Sequence, residues 1–272
     1  MSLKYSEAFN DPKIARHLAD HITRTSRKTV RFMEVCGTHT VSIFRSGIRS
    51  LLPETISLLS GPGCPVCVTA QKEIDAFIAL AREPETIVAT FGDLIRVPGS
   101  GSSLQGEKAD GADVRIVYST FDAVDLAREH PDKRVVFLGV GFETTAPTVA
   151  AAILAAQQQR LDNFFVVSAH KTVPPALEAL ADGDINIDGL LLPGHVSVII
   201  GLEAYQPFFD AYRVPCVVAG FEPSDLLQSI AMLVDQVESG RPRLENAYPR
   251  AVSATGNPKA RAVMDEVFAV AD

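Results

Sequence analysis

Val135-Val136-Phe137-Leu138-Gly139-Val140-Gly141-Phe142-Glu143-Thr144 is a continuous apolar run that ends in glycine, an aromatic and a carboxylate just before a helix-length stretch. An apolar run that does not alternate with polar residues reads as a strand buried on both faces. The glycines closing it let the backbone turn sharply and approach a ligand. Outward from this stretch the same rhythm recurs at residues 30–35, 56–59, 86–91, 114–118, 164–168, 190–192 and 216–219. Helical patterns lie between these runs, over 69–82, 121–129, 145–160, 174–181 and 224–239, and an amphipathic helix over 12–26, with Asp11 as its cap, precedes them all. Buried strands separated by helices imply right-handed βαβ crossovers and parallel pairing. The expected class is therefore α/β, with two Rossmann-like halves of mostly parallel sheet. In such sheets ligands bind at the carboxyl ends of the strands, so the functional motifs should gather there.

An internal echo supports two halves: Val217-Val218-Ala219-Gly220-Phe221-Glu222-Pro223 repeats the order strand, Gly-Phe-Glu, helix start. No linker separates the halves, and the expected boundary falls near residues 119–122. This gives a first α/β domain over 1–120, a second over 121–240, and a segment over 241–272 that folds back on the first. Pro98-Gly99-Ser100-Gly101-Ser102-Ser103 reads as a functional loop, since a strand and a short helical stretch flank it. The 272 residues are 47% hydrophobic and 21% charged, with a formal net charge of −8 and no cluster of Lys or Arg. That balance argues against a nucleic-acid partner. Residues 1–7 lack the apolar core of a signal peptide, and no apolar run reaches the ~18 residues of a membrane span. The expected location is the cytoplasm, away from membranes.

Only four cysteines are present, Cys36, Cys64, Cys67 and Cys216, too few for a disulfide scaffold in a chain of this length. Gly61-Pro62-Gly63-Cys64-Pro65-Val66-Cys67 places a C-x-x-C after a strand and before a helix, where a helix N-terminus favours the thiolate and redox chemistry. Half of a zinc site and a buried structural pair remain alternatives, although no second C-x-x-C or H-x3-H completes a zinc set. Met33-Glu34-Val35-Cys36-Gly37-Thr38-His39 puts a thiol at a strand end with an imidazole three residues on, able to ligate one cation together or to pair as nucleophile and base. A buried, unreactive Cys36 is the competing reading. Adjacent parallel strands would bring Cys36, Cys64 and Cys67 to one rim, while Cys216 starts a strand and reads as core. Asp93, Glu143, His195, Glu222 and Asp225 also stand at strand ends. For Glu222 and Asp225 helix capping competes with chemistry, whereas Thr144-Thr145 would cap the helix after Glu143 and leave that carboxylate available. The P-loop, the complete dinucleotide fingerprint and the G-x-S-x-G elbow are all missing from the sequence.

Taken together, Met33-Glu34-Val35-Cys36-Gly37-Thr38-His39, Gly61-Pro62-Gly63-Cys64-Pro65-Val66-Cys67, Thr90-Phe91-Gly92-Asp93 with Arg96-Val97-Pro98-Gly99, Gly141-Phe142-Glu143-Thr144-Thr145, Pro193-Gly194-His195-Val196-Ser197 and Gly220-Phe221-Glu222-Pro223 resemble the HypD family of nickel–iron hydrogenase maturation factors. The resemblance runs from about Thr29 to the C-terminus. It implies a scaffold on which the Fe(CN)2CO fragment of the hydrogenase is built. A small HypC-type chaperone would share the iron, and a HypE-type partner would deliver cyanide. It implies Cys36 as the iron ligand, with Gly37 and Thr38 in the same binding loop and His39 beside it. Cys64 and Cys67 match the family's redox-active pair. Asp93, Glu143, His195 and Glu222, each within a matched motif, complete the candidate catalytic set.

The chain departs from the family in two places. No cysteine follows Cys216, so the family's C-terminal 4Fe–4S cluster is not expected here, and Val41 stands where a second histidine is usual. Whether the chain is an enzyme stays open. The alternatives to a scaffold are a standalone dithiol oxidoreductase using Cys64 and Cys67, and a metal-free binding module.

Overall fold

The computed structural model describes residues 11–183 and 186–269. Residues 1–7, read above for a signal peptide, and Asp272 lie outside the described residues. In chain order the elements are α1 (Pro12–Thr25), β1 (Val30–Glu34), α2 (Gly37–Arg45), β2 (Ile56–Ser60), α3 (Gln71–Ala81), β3 (Thr86–Thr90), α4 (Leu104–Ala109) and β4 (Asp113–Ile116). There follow α5 (Thr120–Glu129), β5 (Arg134–Gly139), α6 (Ala146–Gln158), β6 (Phe164–Ser168), α7 (Val173–Ala181), β7 (Gly189–Pro193) and α8 (Gly194–Ile200). The last are α9 (Gln206–Tyr212), β8 (Cys216–Ala219), α10 (Pro223–Ser239), β9 (Leu244–Asn246) and α11 (Pro258–Val267).

The strands form two sheets, β2-β1-β7-β8-β9 and β4-β3-β5-β6, and every pairing within them is parallel. This is the expected α/β class with two Rossmann-like halves. The halves are not consecutive, however. One unit takes the residues up to Cys64 together with Val173–Pro258, and the other takes Pro65–Thr172 with the residues from Lys259 on. The division thus differs from the expected 1–120, 121–240 and 241–272. The cause is strand pairing: β7 hydrogen-bonds to β1, with Met33 opposite Leu190 and Glu34 opposite Leu191, and not to β6.

In the second unit the two-residue period of the strands sends alternate side chains to opposite faces, and both faces are covered. Val88, Val136 and Leu138 pack with Ile74, Phe77 and Ile78 of α3. Ile87, Ala89, Val135 and Phe137 pack with Ala123 and Ala127 of α5 and Val149 of α6. In the first unit Phe32, Leu191 and Val217 share a core with Leu226, Leu227, Ile230 and Leu233 of α10, and Ile22 of α1 joins it. Asp11 caps α1 as expected, its carboxylate accepting the Lys13 N–H at 2.8 Å. All eight expected strands are present. The sequence reading passed over β9, three residues long and polar at two of them, and over α2 and α8, whose opening glycines looked like turn punctuation. Among the described residues no helix is long and apolar enough to cross a membrane.

Candidate functional site

Cys36 follows β1 and occupies the N-cap position of α2, with extended backbone (φ −158°, ψ 121°), and is 9% exposed. The parallel register sets Ser60, the last residue of β2, opposite Glu34, so the loops leaving both strands emerge side by side. Their backbones join: the Gly61 N–H donates to the Glu34 carbonyl at 2.9 Å and the Gly37 N–H to the Gly63 carbonyl at 3.3 Å. Gly63 is obligatory here, because a Cβ would stand 2.6 Å from the Cys36 Cα and press on the Gly37 nitrogen. Cys64 comes next and is half-buried, while Cys67 is exposed and falls among the residues of the second unit. Sequence spacing placed the C-x-x-C at a helix N-terminus. Instead Pro65 to Val68 form a turn, α3 begins at Gln71, and Ala70 holds its N-cap position. The helix N-terminal position belongs to Cys36.

Beneath these loops lies a residue that the sequence reading did not nominate. Glu34 is fully buried. Its Oε1 accepts the hydroxyl protons of Ser60 (2.8 Å) and Thr40 (3.1 Å), and Oε2 has no partner among the described residues. The signal was in the sequence: a carboxylate closing a strand two residues before a thiol.

On the other side of Cys36, His39 is fully buried, its Nε2 3.2 Å from the Ala219 carbonyl. A carbonyl oxygen only accepts, so Nε2 carries the proton. Burial strips the ring of water and lowers its pKa to about 4, against the opposing pull of the Ala219 carbonyl. Nδ1 is therefore a bare lone pair, buried and without a partner among the described residues. The His39 ring lies 4.9 Å from that of Phe221, and exposed His195 stacks on Phe221 at 3.8 Å with an interplanar angle of 21°. Partial burial lowers the His195 pKa as well. Tyr248 meets Phe221 edge-on at 6.0 Å, and the Arg250 guanidinium lies 4.5 Å over the Tyr248 ring. Arg250 grips buried Asp225 with both nitrogens, one of them 2.7 Å from Oδ1. Asp225 also accepts the Glu222 N–H at 3.2 Å, closing the first turn of α10. The capping alternative thus describes Asp225, and Glu222, half-buried, holds the N-cap position.

The first unit therefore brings together the strand ends and helix starts that carry Cys36, Gly37, Thr38, His39, Cys64, His195 and Glu222. Asp93 and Glu143 belong to the second unit. Asp93 is exposed in the turn after β3, and Glu143 is buried in the turn before α6. Thr145, expected to cap α6, instead donates its hydroxyl to the Phe142 carbonyl at 3.1 Å and makes no side-chain cap. The same unit holds a second unforeseen group. His170 Nδ1 meets the Ser168 hydroxyl at 2.8 Å, its buried Nε2 has no partner among the described residues, and burial lowers its pKa to about 4. The 98–103 loop is fixed by Asp75, which accepts the Ser100 N–H and hydroxyl at 2.7 Å each. Cys216 is fully buried in β8, and burial pushes its thiol pKa up to about 12, as a core role requires. Among the described residues no group of three or more His, Cys, Asp or Glu is placed to hold a metal ion.

Fold and site together define a two-unit parallel α/β protein that carries thiols and imidazoles at strand ends. A family profile described as "HypD: Hydrogenase formation hypA family" matches residues 13–272. Hydrogenase maturation factor HypD of Rhodobacter capsulatus is 46% identical over 274 residues, covering 98% of this chain and 73% of the relative. That of Rhizobium leguminosarum bv. viciae is 47% identical over 276 residues (98% and 72%), and that of Escherichia coli (strain K12) 47% over 256 (94% and 69%). The chain belongs to the HypD family of hydrogenase maturation factors.

Proposed function

We propose that this chain is the scaffold on which an iron carrying two cyanides and one carbon monoxide is assembled for a nickel–iron hydrogenase. The observation that carries the reading is Cys36, a buried thiol at a helix N-cap whose loop is bonded, backbone to backbone, to the loop bearing Cys64. A thiolate is a soft donor and suits low-spin iron with strong-field cyanide and CO ligands. One thiolate leaves most of the iron's coordination positions for those ligands and for a donor from a HypC-type chaperone. The Nδ1 lone pair of neutral His39 is ready to accept a hydrogen bond in the first turn of α2, which Gly37 and Thr38 open directly after Cys36. A HypE-type partner supplies the cyanide. Half-buried Cys64 and exposed Cys67 are open to thiol exchange, which proceeds by attack of a thiolate on a disulfide sulfur. Asp93, Glu143, His195 and Glu222 are the further candidates for proton handling. Such thiol chemistry suits a reducing compartment, the cytoplasm.

The test is anaerobic co-purification with a HypC-type chaperone and a HypE-type donor, followed by infrared spectroscopy. Bands of iron-bound CN and CO are expected in the complex and should vanish in Cys36→Ala, along with retained iron. Unchanged iron in that variant would refute the assignment. The exposure of Cys67 also favours a second reading, a dithiol oxidoreductase. A Cys64–Cys67 pair inert in mild thiol buffers would set that reading aside.

A further inference from the structure

Helix α2 buries His39 and Ile43 and turns its other face outward. On that face Phe44 is 82% exposed and Val41 48%. With Thr40, Arg45 and Arg49 they line a cavity of about 410 Å³. An aromatic ring left in water at this level is costly unless something covers it, and Phe beside Arg is the composition of binding hot spots. Charge marks the same face. The chain carries a net charge of −8, yet this cavity is lined by two arginines and no carboxylate, and neither arginine forms an ion pair among the described residues. Arg45 has a local reason for its place in the last turn of α2, where the helix dipole favours a cation. Arg49 lies in the short 3-10 turn Ile48–Leu51 that follows and is exposed on the same face.

We infer that this face docks an acidic segment of a protein partner, which lays an apolar anchor against Phe44 and Val41 and sets carboxylates on Arg45 and Arg49. Two separated arginines around an apolar floor do not form the continuous basic track that a nucleic-acid backbone requires. The location gives the surface its purpose. Thr40, at its edge, donates its hydroxyl to Glu34 at 3.1 Å and approaches the Cys36 carbonyl at 3.4 Å, so an occupant here sits one helical turn from the Cys36 thiol. The inference rests on the scaffold reading only for the choice of the chaperone as a probe.

Two probes test it with the full chain: a HypC-type chaperone, and a labelled amphipathic peptide with leucines at helical spacing and glutamates elsewhere, set against its lysine counterpart. Binding is followed by fluorescence anisotropy at low and high salt. The variants are Phe44→Ala and Arg45→Glu/Arg49→Glu. Because Phe44, Arg45 and Arg49 are all exposed, the variants should keep the wild-type circular dichroism and melting. The acidic peptide and the chaperone should each bind roughly tenfold or more weakly to the surface variants and lose affinity with salt. A chaperone that binds wild type and surface variants equally overturns the inference. So does an acidic peptide that binds no better than its lysine counterpart, or a self-association of the chain that Phe44→Ala abolishes. Should the chaperone fail to bind wild type while the acidic peptide still discriminates, the surface stands and the scaffold reading fails.

Discussion

Acid should weaken the first unit through His39. In the folded chain this imidazole is fully buried and holds its proton only near pH 4, whereas in the unfolded chain it titrates at the ordinary 6.5. Between those values the unfolded state binds a proton that the folded state does not, so stability rises with pH and falls as pH drops through 6.5 toward 4. The separation of 6.5 from about 4, at 1.36 kcal/mol per unit, amounts to about 3 kcal/mol below pH 4 and about 2 kcal/mol by pH 5. Urea unfolding of wild type and His39→Gln, from neutral pH down to about pH 5, isolates this contribution, because glutamine can still donate to the Ala219 carbonyl and does not titrate. His170, whose pKa is also lowered to about 4, titrates in both proteins and cancels in the comparison. Wild type should lose about 2 kcal/mol more than the variant over that range. Parallel stability curves, or a His39 ring proton titrating near 6.5 by NMR, would refute the reasoning.

Gly63→Ala should force the Cys36 and Cys64 loops apart, since the new methyl meets backbone 2.6 Å away that cannot rotate aside. The expected cost is about 1–3 kcal/mol in urea, with a marked loss of Cys36-to-Cys64 bridging by a short bifunctional thiol reagent. Undiminished bridging would contradict the packing described. Arg250→Ala leaves the buried Asp225 carboxylate without its cation and should destabilise the first unit by about 2 kcal/mol, less than a fully buried pair would cost because Arg250 is partly in water. A change within error in urea unfolding would mean that water replaces the guanidinium fully.

The fold was legible because its strands are short apolar runs ended by glycines, and buried parallel strands leave that mark whatever surrounds them. The Gly-Phe-Glu echo lands at a strand-to-helix junction in each unit, before α6 in one and before α10 in the other. What spacing could not carry was which strands pair. Nothing local in Leu190-Leu191-Leu192 says that they lie beside β1, more than 150 positions earlier, and so the division of the chain was misplaced. The site shows the same limit. Cys36, His39, Cys64 and His195 were visible as residue types that strand ends do not need for packing. Glu34 was hidden inside an apolar motif, and Phe221, Tyr248 and Arg250 read as ordinary residues until the fold set them around His39 and Asp225.

That dependence on long-range pairing has a chemical consequence. Cys36 and Cys64 come from neighbouring strands joined early in the sequence, but the wall behind them does not. The carbonyl that fixes the His39 tautomer belongs to Ala219, and the rings that flank His39 belong to Phe221 and, beyond it, His195. These arrive only when β7 and β8 add to the free edge of β1, after the chain has left the first unit at Cys64 and returned at Val173. Parallel pairing then obliges all their carboxyl ends to emerge on one rim. The burial that lowers the His39 pKa and leaves its Nδ1 lone pair bare depends on these later strands, since its tautomer partner and flanking ring come from them. The completed sheet is what places the Cys36 thiol beside a buried, oriented histidine, and the arrangement is a property of the assembled first unit rather than of the motif that announces it.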